Sequence, residues 1–298
     1  MREGVQGQGA ALRLGLIAGR GGLPLEAARG LRAAGVSVVA LGFEGQSDEA
    51  LAAHVDAIAW HRLGQLEQAA GSLRAMQVGR VLIVGSFSKR LLFDGSGPFD
   101  PDESARALLA GLSDLGDDAL FVALASWLAR AGFGLERQDV ALASLLAPAG
   151  PFSRRAPSDL EGADLAVGRA ALARIGAAGI GQCVVVSHGC VVAVEAVEGT
   201  DEAIRRGGRL AGAGCTVVKG ARPGQDRRFD LPCIGPDTIA AMAEVGARCL
   251  AIEAQSTLIL DRQRTVDHAD LAGIACTGFD CAASAEGFPA SAPAGGDA

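Results

Sequence analysis

LRLGLIAGRGGLPLEAARGLRAAGVSVVALGF, residues 12–43, decides the fold. LRLGLIAG (12–19) is a short apolar run, as expected of a strand buried on both faces. LPLEAARGLRAAG (23–35) has helical spacing and a terminal Gly, and SVVALGF (37–43) is again a strand. Working outward, DAIAW (56–60), GQLEQAAGSLRAMQVG (64–79) and RVLIVGSF (80–87) repeat the strand, helix, strand order. Short Val/Ile/Leu runs alternating with helices predict an α/β protein whose parallel sheet carries helices on both faces. The first half therefore reads as a Rossmann-like domain, with two further helices at 102–112 and 117–131.

Periodicity fades over 136–158, where LAPAGPFSRRAPSD (146–159) is rich in Pro, Ser and Ala. The domain boundary belongs there: a Rossmann-like domain over 12–140 and a distinct α/β domain with a mixed sheet over 152–281. In the second half a helix at 159–176 precedes two strands flanking His188-Gly189, a hairpin-like turn. A short helix (201–208), the strand TVVK (216–219), a charged loop and a helix opening at Pro236-Asp237-Thr238 follow. RCLAIEA (248–254) and STLILD (256–261) read as strands, then come a helix at 263–272 and the strand IACTGF (274–279). Residues 282–298, small and polar with Gly and Pro, are expected to be disordered.

The net charge of the 298-residue chain is −7, and no basic run exceeds two residues. With no Tyr and 4% aromatic residues, neither an electrostatic nor a stacking surface for nucleic acid is expected. MREGVQGQGAALRLGLIAGRGG (1–22) has no long apolar run of the kind a secretory signal needs, and no segment reaches the length of a membrane span. All seven Cys fall between 183 and 281, none as C-x-x-C, and are expected to be buried, reduced thiols of a cytoplasmic protein. His54, His61, His188 and His268 are scattered, without a Ser or Cys partner in a hydrolase arrangement.

The chemistry-bearing stretches lie where strands end. Gly19, Gly21 and Gly22 join the first strand to the first helix, where backbone N–H groups converge on phosphates, although a full G-x-G-x-x-G is missing. A tight turn alone would also use them. The acidic residue that a ribose would need is not evident, although Glu44 sits near the end of the second strand. Lys89 and Arg90 follow another strand end at Gly85. Gly116-Asp117-Asp118 suits a helix start, and its paired carboxylates would also suit a cation or sugar hydroxyls. Glu195 lies by period 2 on the face opposite Val192 and Val194, so it need not be buried. Gly199-Thr200-Asp201 then opens a helix. The densest cluster is QDRRFD (225–230), which runs directly into LPCIG. A solvated loop needs no such density and a core would not bury it cheaply. Polyanion chemistry would use it, with arginines on phosphates and carboxylates on a metal or a water.

GLIAGRGGLP (15–24), LGDDAL (115–120), IGQCVVVSHGCVVAVEAVEGTDEAIRR (180–206) and VVKGARPGQDRRFDLPCIGPDTI (217–239) together resemble the LpxI family, the UDP-2,3-diacylglucosamine diphosphatases of lipid A biosynthesis. The likeness spans roughly residues 12–281, and the pattern K-x-x-x-P-x-Q-D-x-R-x-D-x-P-x-x-G is its most specific part. After Gly85 the chain reads GSFSKRLL, without the Pro that the family often carries there. The resemblance implies hydrolysis of the pyrophosphate of UDP-2,3-diacylglucosamine to UMP and 2,3-diacylglucosamine 1-phosphate (lipid X), dependent on magnesium or another divalent cation. It assigns the essential family aspartate to Asp230, with Asp226, Arg228 and Lys219 as further catalytic residues. Gly19, Gly21, Gly22, Lys89, Gln182, Thr200 and Gln225 become the substrate-binding set. Asp230, Asp226, Glu195, Glu198 and Asp201 are the carboxylates available to a metal.

Such a substrate implies a cytoplasmic protein that transiently visits the inner-membrane surface, and an apolar groove for two acyl chains, for which a cleft between domains is the natural place. Oligomeric state is left open, a homo-oligomer among the alternatives. The rival readings are another Rossmann-type enzyme (an oxidoreductase or a nucleotide-sugar enzyme) and a non-catalytic lipid- or nucleotide-binding protein.

Overall fold

The computed structural model describes residues 13–87, 99–112 and 116–280. The chain divides into two compact units, residues 1–144 with Asp226–Asp230, and residues 145–225 with 231–298.

In the N-terminal unit, β1 (Arg13–Ala18), β2 (Ser37–Phe43), β3 (Ala57–His61), β4 (Arg80–Val84) and β5 (Gly134–Leu135) form one sheet in the order β3-β2-β1-β4-β5. Every pairing is parallel. β1, β2 and β4 are buried beyond their first residue, which is why they read as continuous apolar runs rather than alternating ones. The sheet is joined by α1 (Leu23–Ala33), α2 (Leu66–Ala75), α3 (Glu103–Ala110), α4 (Asp117–Arg130) and the one-turn α5 (Gln138–Ala141). α1 carries Pro24 in its first turn and buries Leu23, Ala27, Ala28 and Leu31, a helical stripe.

The strand order reverses at β1. The carboxyl ends of β1 and β4 are therefore neighbours, the place where open α/β sheets take ligands. Two glycines permit the close approach there. A Cβ on Gly19 would stand 2.5 Å from the Ser86 carbonyl oxygen, and one on Gly85 would stand 2.6 Å from that of Arg20.

In the C-terminal unit, β6 (Gly150–Pro151), β7 (Cys183–Ser187), β8 (Cys190–Val194), β9 (Thr216–Lys219), β11 (Cys249–Glu253) and β13 (Ala275–Phe279) form a sheet ordered β6-β13-β11-β9-β7-β8. β9, β11 and β13 run parallel, and β6, β7 and β8 pair antiparallel, so the sheet is mixed. His188 and Gly189, both at positive φ (51° and 73°), close the β7–β8 hairpin in two residues, and Asp164 accepts the Gly189 N–H at 2.6 Å. α6 (Asp159–Ala177) starts in a capping box of Ser158 and Glu161. α7 (Thr200–Ala211), α8 (Pro236–Glu244) and α9 (Arg262–Ala272) complete the unit. α6 meets the sheet through Gly168, whose added Cβ would stand 2.9 Å from the Cβ of Val218.

Two expectations change. STLILD contributes only β12 (Leu258–Ile259), which pairs with β10 (Cys233–Ile234) in a separate two-stranded sheet. An apolar run signals burial but not which partner it pairs with. Cys190, at the hairpin, is exposed rather than buried. Burial pushes the Cys183, Cys249 and Cys276 thiols up to about 12, so these three stay protonated, inert core groups. The predicted tail lies outside the described residues.

Candidate active site

Two groups of the predicted residues gather, one in each unit. In the C-terminal unit a polar chain runs beneath the start of α7. Lys219, the last residue of β9, is 4% exposed, and its Nζ donates to Thr200 Oγ1 at 2.6 Å. Thr200 Oγ1 donates to Glu195 Oε1 at 2.8 Å, and Glu195 Oε2 accepts the Gln182 N–H at 3.3 Å. Glu195 is 7% exposed, which corrects the expectation of an open strand face. β8 ends at Val194, so the two-residue alternation no longer governs Glu195. Its backbone packs against Gly181, whose added Cβ would collide with the Glu195 carbonyl oxygen. The buried side-chain oxygen of Gln182 has no hydrogen-bond partner among the described residues, which is uncommon for a buried polar atom. Asp201 sits in the first turn of α7, where burial pushes its carboxyl up and Lys219 draws it back down.

Not every predicted residue joins this chain. Glu198 binds Arg206 at 2.5 Å and accepts the Ala196 N–H, so it braces the loop before α7. Gln225 closes the turn Arg222-Pro223-Gly224-Gln225. Its N–H reaches the Arg222 carbonyl at 3.0 Å, and its Oε1 accepts the Arg222 N–H at 2.9 Å. Pro and then Gly at φ 74° are the central residues that a type II turn demands.

In the N-terminal unit, Asp226–Asp230 forms the second group. Asp226 and Arg228 pair in a fork, with Nε at 3.0 Å and Nη2 at 2.6 Å from the carboxylate, and Asp226 Oδ1 also accepts the Arg228 N–H at 2.9 Å. The Arg228 guanidinium holds the Asp226 carboxyl below the usual carboxylate range. The charge density that stood out in the sequence is thus in part self-neutralising. The Arg227 carbonyl accepts the Gln138 N–H at 2.8 Å, and its guanidinium reaches Asp139 at 3.2 Å. Asp139 is also held by Arg137, at 2.9 and 2.6 Å. Phe229 is 3% exposed and stacks on Phe121, ring centroids 4.4 Å apart and planes at 17°. Asp230 follows it, exposed and in the left-handed region at φ 60°. That conformation is uncommon for a residue with a Cβ, and such strain collects at functional sites.

At the switch point, Gly19 is required by the approach to Ser86 and Gly21 by its φ of 90°. Gly22 meets neither demand: an added Cβ would touch nothing within 4 Å. Gly116 is the N-cap of α4. Lys89 lies outside the described residues. Among the described residues no three His, Cys, Asp or Glu side chains converge as a metal cage. Glu195, Glu198 and Asp226 spend their carboxylates on the Thr200, Arg206 and Arg228 partners named above.

Sequence reasoning missed three features. Glu253, buried, accepts the Ala221 N–H at 2.8 Å and fixes the exit from β9. Arg137 and Asp139 brace Arg227 from a region without periodicity. An apolar pocket of about 190 Å³ is lined by residues of the N-terminal unit, with Leu41, Phe43, Leu73, Phe87, Phe121 and Trp127 among its walls. Its residues had read simply as core.

These features define a class: a two-domain α/β protein with a Rossmann-like parallel sheet, a mixed-sheet domain bearing a Lys–Thr–Glu chain, and a charged segment ending in a strained Asp. The family models for the LpxI N-terminal and LpxI C-terminal domains match residues 13–145 and 148–277. The chain belongs to the LpxI family. The UDP-2,3-diacylglucosamine pyrophosphatase LpxI of Caulobacter vibrioides is 30% identical over 279 residues, covering 90% of this chain and 98% of that protein. Among solved structures, glycinamide-RNase-transformylase T from Mycobacterium tuberculosis aligns over 62% of this chain and 44% of its own. Its identity is 16% and its TM-score 0.22, a likeness that carries no argument.

Proposed function

We propose that the protein hydrolyses the pyrophosphate bond of UDP-2,3-diacylglucosamine, releasing UMP and 2,3-diacylglucosamine 1-phosphate, with the aid of a divalent cation. The observation that carries this reading is Asp230: the family aspartate is exposed and in the left-handed region, one of five described non-glycine residues at positive φ, and it ends a segment braced by Phe229 and Arg227. Its role is to orient the attacking water, either as its base or through the metal that it would hold. Within the C-terminal unit, Lys219, fixed by Thr200, is the cation suited to stabilise a phosphate oxygen. Arg228 keeps Nη1 outside its fork with Asp226 and could offer it to a phosphate.

Magnesium fits this donor set as an ion held largely by substrate. It needs hard oxygen ligands and commonly takes one or two carboxylates, phosphates and waters. Asp230 is the carboxylate that would contribute, and the ion would offset charge on the phosphates and lower the pKa of a bound water.

The acyl chains have a match in the cavity. Each acyl methylene that its walls cover would contribute on the order of 0.8 kcal/mol. No helix among the described residues is long and apolar enough to cross a membrane. Access to the lipid is therefore proposed to come from transient contact of a cytoplasmic protein with the inner membrane.

The test is turnover of UDP-2,3-diacylglucosamine with magnesium and with EDTA, for the native protein and Asp230→Asn. Asn tolerates the left-handed conformation. Metal-dependent UMP release is expected, with a loss of about 10²–10⁴-fold in the variant at unchanged melting temperature. Near-full turnover by Asp230→Asn would remove the assignment. Tight binding of substrate with no turnover under any divalent metal would favour a lipid-nucleotide binding protein.

A further inference from the structure

We infer that an acyl chain seated in the cavity of the N-terminal unit positions the segment Asp226–Asp230, acting through the stacked pair Phe121–Phe229. The inference rests on the proposed role of Asp230 and on the cavity as an acyl site.

The two ends of the segment are held differently. At Arg227 the hold is polar. Its carbonyl takes the Gln138 N–H, its guanidinium meets Asp139, and the buried Gln138 side chain is itself tied to the Ile83 carbonyl of β4 at 2.7 Å. This end is fixed to the sheet whatever the cavity contains. At Phe229 the backbone N–H donates to the Asp226 carbonyl at 3.4 Å, and the side chain is held on an aromatic face. Phe121, on which Phe229 stacks, is also part of the cavity wall. A chain pressing on one face of that wall is felt on the other, because packed side chains transmit displacement. Asp230 is next in sequence, and its left-handed backbone depends on how its neighbours are anchored.

The kinetic consequence is specific. Chain binding that fixes the position of Asp230 appears in kcat, whereas chain binding that merely adds affinity appears in KM. Phe121 and Phe229 are therefore positioning residues, and the acyl chain is a requirement for turnover rate rather than a membrane handle.

The experiment has two arms. In a Trp60→Phe background, Trp127 in the cavity wall reports occupancy by a brominated dodecanoic acid through quenching, while hydrogen exchange follows 226–230. Quenching with slowed exchange is expected. Quenching without a change in exchange, or no quenching, overturns the inference, and neither result depends on the protein being a hydrolase. In the second arm, kcat is compared for the long-chain substrate and a short-chain analogue in the native protein and Phe121→Leu. Native kcat is expected to fall about three- to tenfold with the short chain, the range an aromatic pair contributes. In Phe121→Leu the ratio should fall to about one. Equal native kcat for both substrates overturns the inference while leaving the proposed reaction standing.

Discussion

Thr200→Val tests the polar chain of the C-terminal unit. The substitution keeps the branched shape and removes the hydroxyl that links Lys219 to Glu195. It deletes a 2.6 Å bond from an ammonium and a 2.8 Å bond to a carboxylate, both on side chains that are nearly inaccessible. Hydrogen bonds to charged groups contribute about 1.5–3 kcal/mol each, giving about 3–6 kcal/mol for the pair. A direct approach of Lys219 to Glu195 would recover part, so a net loss of about 3 kcal/mol is expected. For a unit of this size that is roughly 6–12 °C in melting temperature, measured by circular dichroism at neutral pH. Thr200→Ser keeps the hydroxyl and loses one methyl, and should stay within about 1 kcal/mol of the native protein. If Thr200→Val melts as high as Thr200→Ser, the hydroxyl bridge does not hold Lys219, and the account of how that lysine is presented fails.

Two carboxylates should respond to pH with opposite signs. Arg228 holds Asp226 below its usual range, so its contribution is present above the unfolded value and lost as pH falls through the folded one. Asp226→Asn should destabilise at pH 7, with the gap closing below about pH 4 in a melting series. Burial raises Asp201, so its contribution is full below the unfolded value and lost as pH rises through the folded one. Asp201→Asn should therefore raise the melting temperature at pH 7, and a fall would show that the charge is welcomed rather than tolerated. Gly168→Ala drives a Cβ into Val218 where α6 meets the sheet, and should cost about 1–3 kcal/mol in urea unfolding. A neutral outcome would mean the helix backs away freely.

The sequence by itself determined whatever depends on local order. Apolar runs between helical stripes specify a parallel sheet, because strands covered on both faces cannot alternate. The His188-Gly189 dipeptide between two β-branched runs suits a hairpin, because a type I′ two-residue loop needs positive φ at both positions and His and Gly tolerate it. Pro236 and Gly199-Thr200-Asp201 mark helix starts through the backbone geometry they permit. The long motif from Lys219 through Asp230 to Gly235 carried the family, and Lys219, Thr200, Glu195 and Asp201 were all legible as candidates.

Only the tertiary structure decided how the polar groups are spent. Asp226 and Arg228 neutralise each other, Gln225 closes its own turn, and Glu195 is buried beyond the end of its strand. The structure also groups residues 226–230 with the N-terminal unit while the flanking chain belongs to the other. Periodicity reports which face of an element is covered. It does not report which distant residue covers it: the Asp226–Arg228 pair and the Gln225 turn are local, but Lys219 on Thr200, Arg227 on Asp139 and Phe229 on Phe121 are contacts between residues far apart in the chain.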